Sequence, residues 1–344
     1  MIMSTTNIDG YDLKGIETNG FINEDVMQKI WDVSKIPLPF TDMIGSNKHK
    51  NSYFEWVKDK LRQPDVTNAQ IDGADAANFV AETGERVGNH SQISVECIAT
   101  SHRADASDTI GYAKQLAYEL TKGQQNIRRD VEAIALNNQA SKAGDSSTAG
   151  TTGGLPSWIA TNVHGATAGG YNHAKGTTDV ANVGDGSAAA GLSFADVKSA
   201  CMDVYKEGAE STVLMSSPEV ISSLSTYLFD NEARIATLTS DQGAPASSKA
   251  TALGAVNVVV TDFGTLKLVA NRLQPADANG NHFAFILDPE YLSLSYLEGY
   301  RTDKLAKTGL SEKREISVDW GLRVHVEEAQ AMIANVDPDA AATA

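Results

Sequence analysis

One stretch decides the fold: "SDTIGYAKQLAYELTKGQQNIRRDVEAIALNNQ", residues 107–139. Apolar side chains recur at every third or fourth position along it, except where Gln124 takes one of the places. The members of this stripe are Ile110, Ala113, Leu116, Leu120, Ile127, Val131 and Ile134. The pattern predicts one helix over residues 109–139, capped by Ser107 or Asp108 and roughly 45 Å long. An average helix has only about 11 or 12 residues, so we expect this one to be the strut of the molecule.

Gly123 interrupts the middle of the predicted helix. Glycine in a helix interior costs about 1 kcal/mol relative to alanine. Its presence predicts either a bend in the helix or the close approach of another backbone.

The residues before the helix predict an arm followed by a flap. Residues 1–22 are polar and without periodicity, and a short helix capped by Asn23 ends at the prolines of "KIPLPF". Two segments then alternate as strands do, "NSYFEWV" (51–57) and "QISVECIAT" (92–100), and we expect them to pair as a two-stranded flap. The stretch 63–85 between them holds five acids and no base, which predicts an outward-facing acidic loop.

A glycine-rich segment follows the long helix. Residues 141–191 are rich in Gly, Ala, Ser and Thr, and a loop of this length inside a domain is usually functional or mobile. Its only predicted anchors are Leu155, Trp158 and Ile159.

The remainder of the chain mixes helical and strand patterns. Ser193 is placed to cap one helix, and Pro218 stands at the first position of another. Short apolar strands occupy much of the segment up to residue 336, and the tail 337–344 is expected to be disordered.

The chain as a whole is acidic. Its 344 residues include 44 acids and 28 bases, which gives a formal net charge of −16 at pH 7. Nucleic-acid binding requires clustered lysine and arginine, so sequence-specific DNA binding is not expected. A hydrophobic content of 42% is typical of a soluble globular protein. We expect neither a secretion signal nor a membrane span.

No catalytic or metal-binding pattern stands out in the sequence. The phosphate-binding loop, the nucleophile elbow, the His-Glu-x-x-His zinc pattern and the calcium loop are all absent. The seven histidines are scattered, with no two of them three or four residues apart. We interpret Cys97 and Cys201 as small buried hydrophobic residues. The chain is therefore expected not to be an enzyme and to need no cofactor and no metal.

Against the acidic background one strip is basic. "RTDKLAKTGLSEKR", residues 301–314, holds five of the 28 bases. The simplest interpretation is a solvated hairpin that lysine keeps soluble, but a basic strip on so acidic a chain also suggests an acidic counterpart.

The order of these features resembles the major capsid proteins of tailed bacteriophages with the Hong Kong 97-type fold. The resemblance rests on "PLPFTDMIG" leading to "YFEWVKDKL", on "NIRRDVEAIALNNQ", and on "RTDKLAKTGLSEKREISVDWGLRVHVEEAQAMI". None of these is a strict motif, and it is their order along the chain that is specific. The resemblance implies an α+β capsid fold with an N-terminal arm, an extended two-stranded loop, a peripheral domain with a long spine helix, and a mixed axial domain.

The same resemblance implies a division of the chain. The peripheral domain would comprise the spine helix and two long strands, 286–302 and 314–328, joined by the basic strip. The full division is: N-terminal arm 1–46, extended loop 47–106, peripheral domain 107–140 and 286–330, Gly-rich loop or insertion 141–191, axial domain 192–285 and 331–336, and disordered tail 337–344.

The resemblance also implies how copies meet. In such shells the peripheral tips lie near local threefold axes, next to the extended loops of adjacent subunits, so the basic strip and the acidic loop would be complementary. The predicted inter-subunit contacts are Trp56, Asp65, Asp72, Asp75, Glu82, Glu85, Arg301, Lys304, Lys307, Lys313 and Arg314.

The implied function is a capsid protein of the virion that self-assembles through hexamers and pentamers into an icosahedral or prolate shell around double-stranded DNA. Assembly in the host cytoplasm, a separate scaffolding protein and a portal are implied, with a decoration protein as a further candidate partner. Only weak, non-specific contact with the DNA is expected, and no membrane contact.

Three alternatives remain open from the sequence. An encapsulin-like compartment would have the same architecture and hold a protein cargo. A hydrolase or transferase could be built on residues 192–336, although no nucleophile, base or metal set is recognisable there. A phage tail or decoration component would also self-assemble.

Overall fold

We describe the fold from a computed structural model of the chain. The described residues are 37–73, 75, 84–107, 112–182, 189–228, 257–277, 279–307 and 309–343. The polar arm 1–22, the short helix after Asn23, and Glu82 lie outside these ranges.

Six α-helices lie within the described ranges. They are α1 Pro39–Met43, α2 His102–Ala106, α3 Gln115–Leu136, α4 Leu155–Trp158, α5 Phe194–Glu207 and α6 Pro218–Leu228. Two of them begin as the sequence predicts: the Ser193 hydroxyl accepts hydrogen bonds from the first turn of α5, and Pro218 opens α6.

Fourteen strands accompany these helices in the same ranges. They are β1 Gly45–Lys48, β2 Tyr53–Lys58, β3 Glu85–His90, β4 Gln92–Ser101, β5 Val163–His164, β6 Gly170–Asn172, β7 Thr177–Asp179, β8 Val213–Ser216, β9 Val258–Thr261, β10 Gly264–Ala270, β11 His282–Leu287, β12 Leu292–Lys304, β13 Ser311–Val324 and β14 Ala331–Val336.

A four-stranded sheet in the order β1-β12-β13-β4 supports the long helix α3. The antiparallel β12–β13 hairpin forms its centre, and β1 pairs in parallel with β12. One face of the sheet packs against α3, where Ile127 and Val131 meet Ile316 and Val318 in one buried cluster. The described end of the predicted arm, from α1 through β1, is therefore anchored to the body of the molecule.

Gly123 marks the closest approach of α3 to this sheet. A Cβ atom built on it would lie 2.6 Å from Cδ1 of Ile98 and 3.0 Å from Cδ1 of Ile316. The predicted approach of another backbone is wrong, because the atoms nearest to Gly123 belong to the side chains of Ile98 and Ile316.

The long helix is shorter than the sequence predicts. It begins at Gln115 instead of residue 109, and residues 112–114 are not helical. Ser107 ends the short helix α2 and does not cap α3. The buried side chains of α3 start at Gly123, where the sheet supports the helix. Leu120 packs against the buried cluster, whereas Leu116 is only partly buried and Ala113 is exposed, so the stripe loses its packing toward Ala113 and periodicity alone overestimated the length.

The predicted flap is wrong in its second strand. β2 pairs with β3, whereas β4, the predicted partner, pairs with β13 over its whole length. β3 was missed because its central Gly88 and Asn89 are weak strand formers. β4 is an edge strand of the four-stranded sheet and does not pair with the flap.

A six-stranded sheet in the order β5-β14-β11-β8-β10-β9 forms the second part of the fold. Helices α5 and α6 pack on it around a second buried cluster that includes Leu214, Leu224 and Ile286. The long strand predicted over 286–302 begins only at Leu292, and the boundary predicted at 285/286 lies within β11; the division into domains stays a prediction.

The glycine-rich segment is part of the body. Its predicted anchors Leu155, Trp158 and Ile159 are confirmed, since each is at most 2% exposed. Strand β5 pairs in parallel with β14 and so extends the six-stranded sheet. Part of the segment that the sequence presents as a loop or insertion therefore belongs to the six-stranded sheet.

The C-terminal tail is ordered over residues 337–343, contrary to the prediction. Thr343 accepts a hydrogen bond from the amide of Phe194 at 2.9 Å, and its own amide donates to Leu192 at 3.3 Å. The amide of Asp337 donates to Ala190. These backbone bonds fix the tail beside the start of α5.

Candidate assembly surfaces

The first candidate surface is the tip of the β12–β13 hairpin. Arg301 and Lys304 lie in β12, and Lys313 and Arg314 lie in β13, so the basic strip spans the strand ends as well as the turn. Leu310 in the turn is 85% exposed. The amide of His102 donates to the carbonyl of Leu310 at 3.1 Å, which ties the tip to α2.

Much of the positive charge of the tip is already paired within the hairpin. Arg301 contacts both Glu298 and Asp303, and Lys304 forms an ion pair with Glu312 at 2.9 Å. Lys304 holds the pKa of Glu312 below its ordinary value. Arg301, Glu298 and Lys304 are about half exposed and Glu312 is 25% exposed, so water screens these pairs and they can exchange partners.

The remaining tip bases also have neighbours in their own chain. The Lys307 ammonium lies 3.5 Å from Nε2 of His102, and the Arg314 guanidinium lies 4.0 Å from the Glu312 carboxylate. The tip is therefore a mixed-charge surface and not the uniformly basic one that the sequence predicts.

The second candidate surface is the acidic loop beyond β2. Asp65 accepts hydrogen bonds from the amide and hydroxyl of Thr67, which lower the pKa of its carboxyl group. Asp65, Asp72 and Asp75 form no ion pair with any residue in the described ranges. Their negative charge is available to another molecule.

Apolar side chains accompany these acids on the loop. Leu61, Val66 and Ile71 are 94%, 97% and 82% exposed. Three large exposed apolar residues within eleven positions of one acidic segment are typical of a surface that a partner covers.

Glu85, a predicted contact to a neighbour, is bound within its own chain. It pairs with Lys58 at 3.0 Å and with His173, and Lys58 also reaches Glu328 at 3.1 Å. Burial opposes the charge on Lys58, but the two glutamates hold its pKa above the ordinary lysine value. This cluster fastens the base of the flap to the body.

Trp56 likewise packs within its own chain. Its ring centre lies 5.2 Å from that of Trp158, and its indole N–H donates to the carbonyl of His325 at 3.3 Å. The side chain is only partly exposed. Its predicted contact to a neighbouring subunit stays a prediction.

The cysteine prediction is half wrong. Cys201 is buried, whereas Cys97 is exposed on the outer face of β4 together with Ile93 and Val95. The inner face of β4 carries Ile98 and Thr100, which are buried. Periodicity identifies the two faces of a strand but does not say which of them faces the core.

No three histidine, cysteine, aspartate or glutamate side chains gather as a metal site in the described ranges. None of the described helices has both the length and the apolar composition that a membrane crossing requires.

Comparison with known sequences gives a consistent match. The profile of the SU10 major capsid protein family matches residues 6–337. The major capsid protein of Escherichia phage Phieco32 is 25% identical over 320 residues, which cover 83% of this chain and 86% of that protein.

Comparison with solved structures matches the fold. The alignment with the capsid structure of cyanophage A-1(L) covers 92% of this chain and 97% of the cyanophage chain, with a TM-score of 0.61 and 12% identity. The SrpI encapsulin complex from Synechococcus elongatus PCC 7942 covers 96% and 99%, with a TM-score of 0.56 and 11% identity. At these identities the likeness is one of fold alone.

Proposed function

This chain belongs to the SU10 major capsid protein family and is the shell-forming protein of a tailed-phage head, and from that premise we propose how its copies assemble. The observation that carries the proposal is a family match over nearly the whole chain, joined to a Hong Kong 97-type fold. Copies associate as hexamers and pentamers, and these close into an icosahedral or prolate shell around double-stranded DNA.

Two surfaces support contact between copies. The acidic loop has exposed apolar residues and carboxylates without an in-chain cation in the described ranges. The hairpin tip lies at the end of the long paired strands β12 and β13, and Leu310 is exposed there. Single exposed ion pairs contribute little, so apolar burial repeated over many copies supplies most of the stability, and charge directs the register.

The other partners belong to the same proposal. A net charge of −16 favours only weak contact with packaged DNA, since phosphate binding requires clustered bases. We further propose that a separate scaffolding protein and a portal take part, that a decoration protein can bind the outer surface, and that assembly takes place in the host cytoplasm. The role of the chain is structural and not enzymatic.

An encapsulin-like compartment is the second candidate, because the encapsulin complex shares the fold. The sequence match to a phage capsid protein over most of both chains favours the phage head. Nuclease-treated particles from infected cells separate the two: protected double-stranded DNA is expected, and particles that hold a protein cargo and no DNA would contradict the proposal.

Charge reversal at the tip tests its role. Replacing Lys304, Lys307 and Lys313 with glutamate is expected to prevent shell formation by folded subunits, because it makes the mixed-charge tip strongly acidic on a chain with a net charge of −16, so that neighbouring copies repel it. Lys206→Glu, an exposed change on α5, is the control. Shells of normal yield from the triple variant would show that the tip charges do not direct assembly.

A further inference from the structure

A cleft of about 620 Å³ opens beside the first strand of the flap. Its walls come from the turn between β1 and β2, from β2 itself, and from Arg323 near the end of β13. The bases that line it are Lys50, Arg86 and Arg323, against the one acid Glu55. Since Arg86 is paired with Glu55 at 2.7 Å, the cleft keeps a net positive charge on a strongly acidic chain.

His49 lines this cleft, and one of its ring nitrogens has no hydrogen-bond partner in the described ranges. The residue is only 8% exposed, its ring stacks on Phe54 at 4.4 Å, and Nδ1 lies 3.0 Å from the Ser295 hydroxyl. Nε2 is buried without a hydrogen-bond partner in the described ranges. When the Ser295 hydroxyl donates to Nδ1, Nε2 carries the proton, but this atom is closed to solvent and reaches an acceptor in the cleft only if the ring moves. A buried polar atom of this kind normally has a partner.

Arg323 is a second group that lacks its expected partner. Its guanidinium lies over the rings of Phe54 and Trp56, at 5.4 and 5.6 Å from their centres. Its Nε is buried without a hydrogen bond, and no carboxylate in the described ranges forms an ion pair with it. Arg323 is partly exposed, so its guanidinium can pair with a carboxylate that enters the cleft.

The acidic loop carries the carboxylates that would complement the bases of the cleft. It carries unpaired carboxylates at Asp65 and Asp72 and exposed apolar side chains between them, such as Val66. The cleft supplies cations beside the apolar faces of Phe54 and Trp56. Phosphate from nucleic acid would meet the cations but leave the apolar faces of both surfaces bare.

We propose that this cleft is the socket for the acidic loop, around Asp65 to Asp72, of a second copy of this chain. Lys50 and Arg323 contact its aspartates, and the partly exposed Trp56 packs against its apolar residues.

The socket also explains ring formation. Loop and cleft are different patches of one chain, so the contact is head-to-tail, and repeated contacts of this kind close into rings. The inference rests on the proposed function and states which surface of a second copy binds the acidic loop. The hairpin tip, whose charge is partly neutralised within its own chain, is the competing candidate for that surface.

Zero-length cross-linking of the unaltered protein tests the socket directly. Isotopically light and heavy chains are mixed before assembly, and the shells are treated with a carbodiimide, which joins a lysine amine to a carboxylate that touches it. Mixed-isotope peptides that link Lys50 to Asp65 or Asp72 are expected. Loop aspartates linked to Lys304, Lys307 or Lys313 instead, or links of Lys50 only within one chain, would overturn the proposal.

A charge exchange provides the second test. Lys50→Glu and Asp72→Lys are each expected to lower the yield of shells by about tenfold or more, and the double variant is expected to restore it, because opposite charges face each other again. Lys48→Glu is the matched control, since Lys48 is equally exposed two residues away and lies outside the cleft. Normal yield from Lys50→Glu, or no rescue in the double variant, would refute the socket while shells of the unaltered protein still support the proposed function. Absence of shells from the unaltered protein would contradict the proposed function itself.

Discussion

Glu132 connects three parts of the fold at one buried point, and its replacement by alanine is expected to lower the stability of the subunit. The residue lies on α3 and is fully buried. Its Oε1 accepts hydrogen bonds from the Phe40 amide at 2.8 Å and the Asn271 side chain at 2.7 Å, and its Oε2 accepts one from the Thr41 amide at 2.8 Å. The carboxylate thus connects the spine helix to α1 and to the end of β10.

The magnitude follows from the three donors that lose their acceptor. An unsatisfied buried donor costs about 1–3 kcal/mol, and removing one partner of a buried charged contact costs about 3–5 kcal/mol in all. Burial raises the pKa of Glu132, although the hydrogen bonds from the amides of Thr41 and Phe40 act to lower it. Burying the charged carboxylate therefore costs free energy, which these hydrogen bonds offset only in part. We therefore expect Glu132→Ala to lower the free energy of unfolding by about 3–5 kcal/mol.

Glu132→Gln separates the hydrogen bonds from the charge. The glutamine carbonyl can replace Oε1 and keep two of the three donors, so the expected loss is about 1–2 kcal/mol. The measurement is urea unfolding of the unassembled subunit, followed by far-ultraviolet circular dichroism. Glu119→Ala, a partly exposed glutamate on the same helix that pairs with Lys122, is the control. A loss below about 1 kcal/mol for Glu132→Ala, or equal losses for alanine and glutamine, would refute this reasoning.

Three further predictions concern packing and charge inside the subunit. Gly123→Ala is expected to change the free energy of unfolding by less than about 1 kcal/mol, because the gain in helix propensity offsets the displacement of the ends of the Ile98 and Ile316 side chains. Gly123→Val is expected to lower it by about 1–3 kcal/mol in urea unfolding. Equal losses for the two variants would contradict the close approach of these side chains to Gly123. Asn89→Ala is expected to cost about 2–4 kcal/mol, because the fully buried amide of Asn89 bonds the flap to β13 and to the glycine-rich segment, and a loss under about 0.5 kcal/mol would argue against this role. Lys58 has a raised pKa, so its stabilising contribution is present below pH 10.5 and is lost as the pH rises through the folded-state value. The stability difference between the unaltered protein and Lys58→Met should therefore shrink above pH 10.5 in unfolding experiments, and a difference that stays constant would contradict the Lys58 cluster.

Local signals made much of the fold predictable. The cap at Ser193 and the proline at the start of α6 each depend on a few neighbouring residues, and each lies where the sequence places it. The spine helix was predicted for the part that rests on the sheet. Its overestimated start shows that a helical stripe needs a surface to pack on before it forms a helix.

The features that the sequence could not predict depend on strand register and on distant partners. The pairing of β2 with β3 involves Gly88 and Asn89, whose intrinsic strand preference is low. The Lys304–Glu312 pair forms across the hairpin, so the neutralisation of the tip is visible only once the register is known. The socket was missed for the same reason, since His49 and Arg323 are brought together from opposite ends of the chain.

Electron microscopy of the purified protein tests the central claim most directly. Negatively stained images over a range of protein concentrations should show closed shells of uniform size whose walls are built from rings of five and six subunits. A compact monomer at every concentration, with the acidic loop and the hairpin tip folded against its own body, would contradict the account.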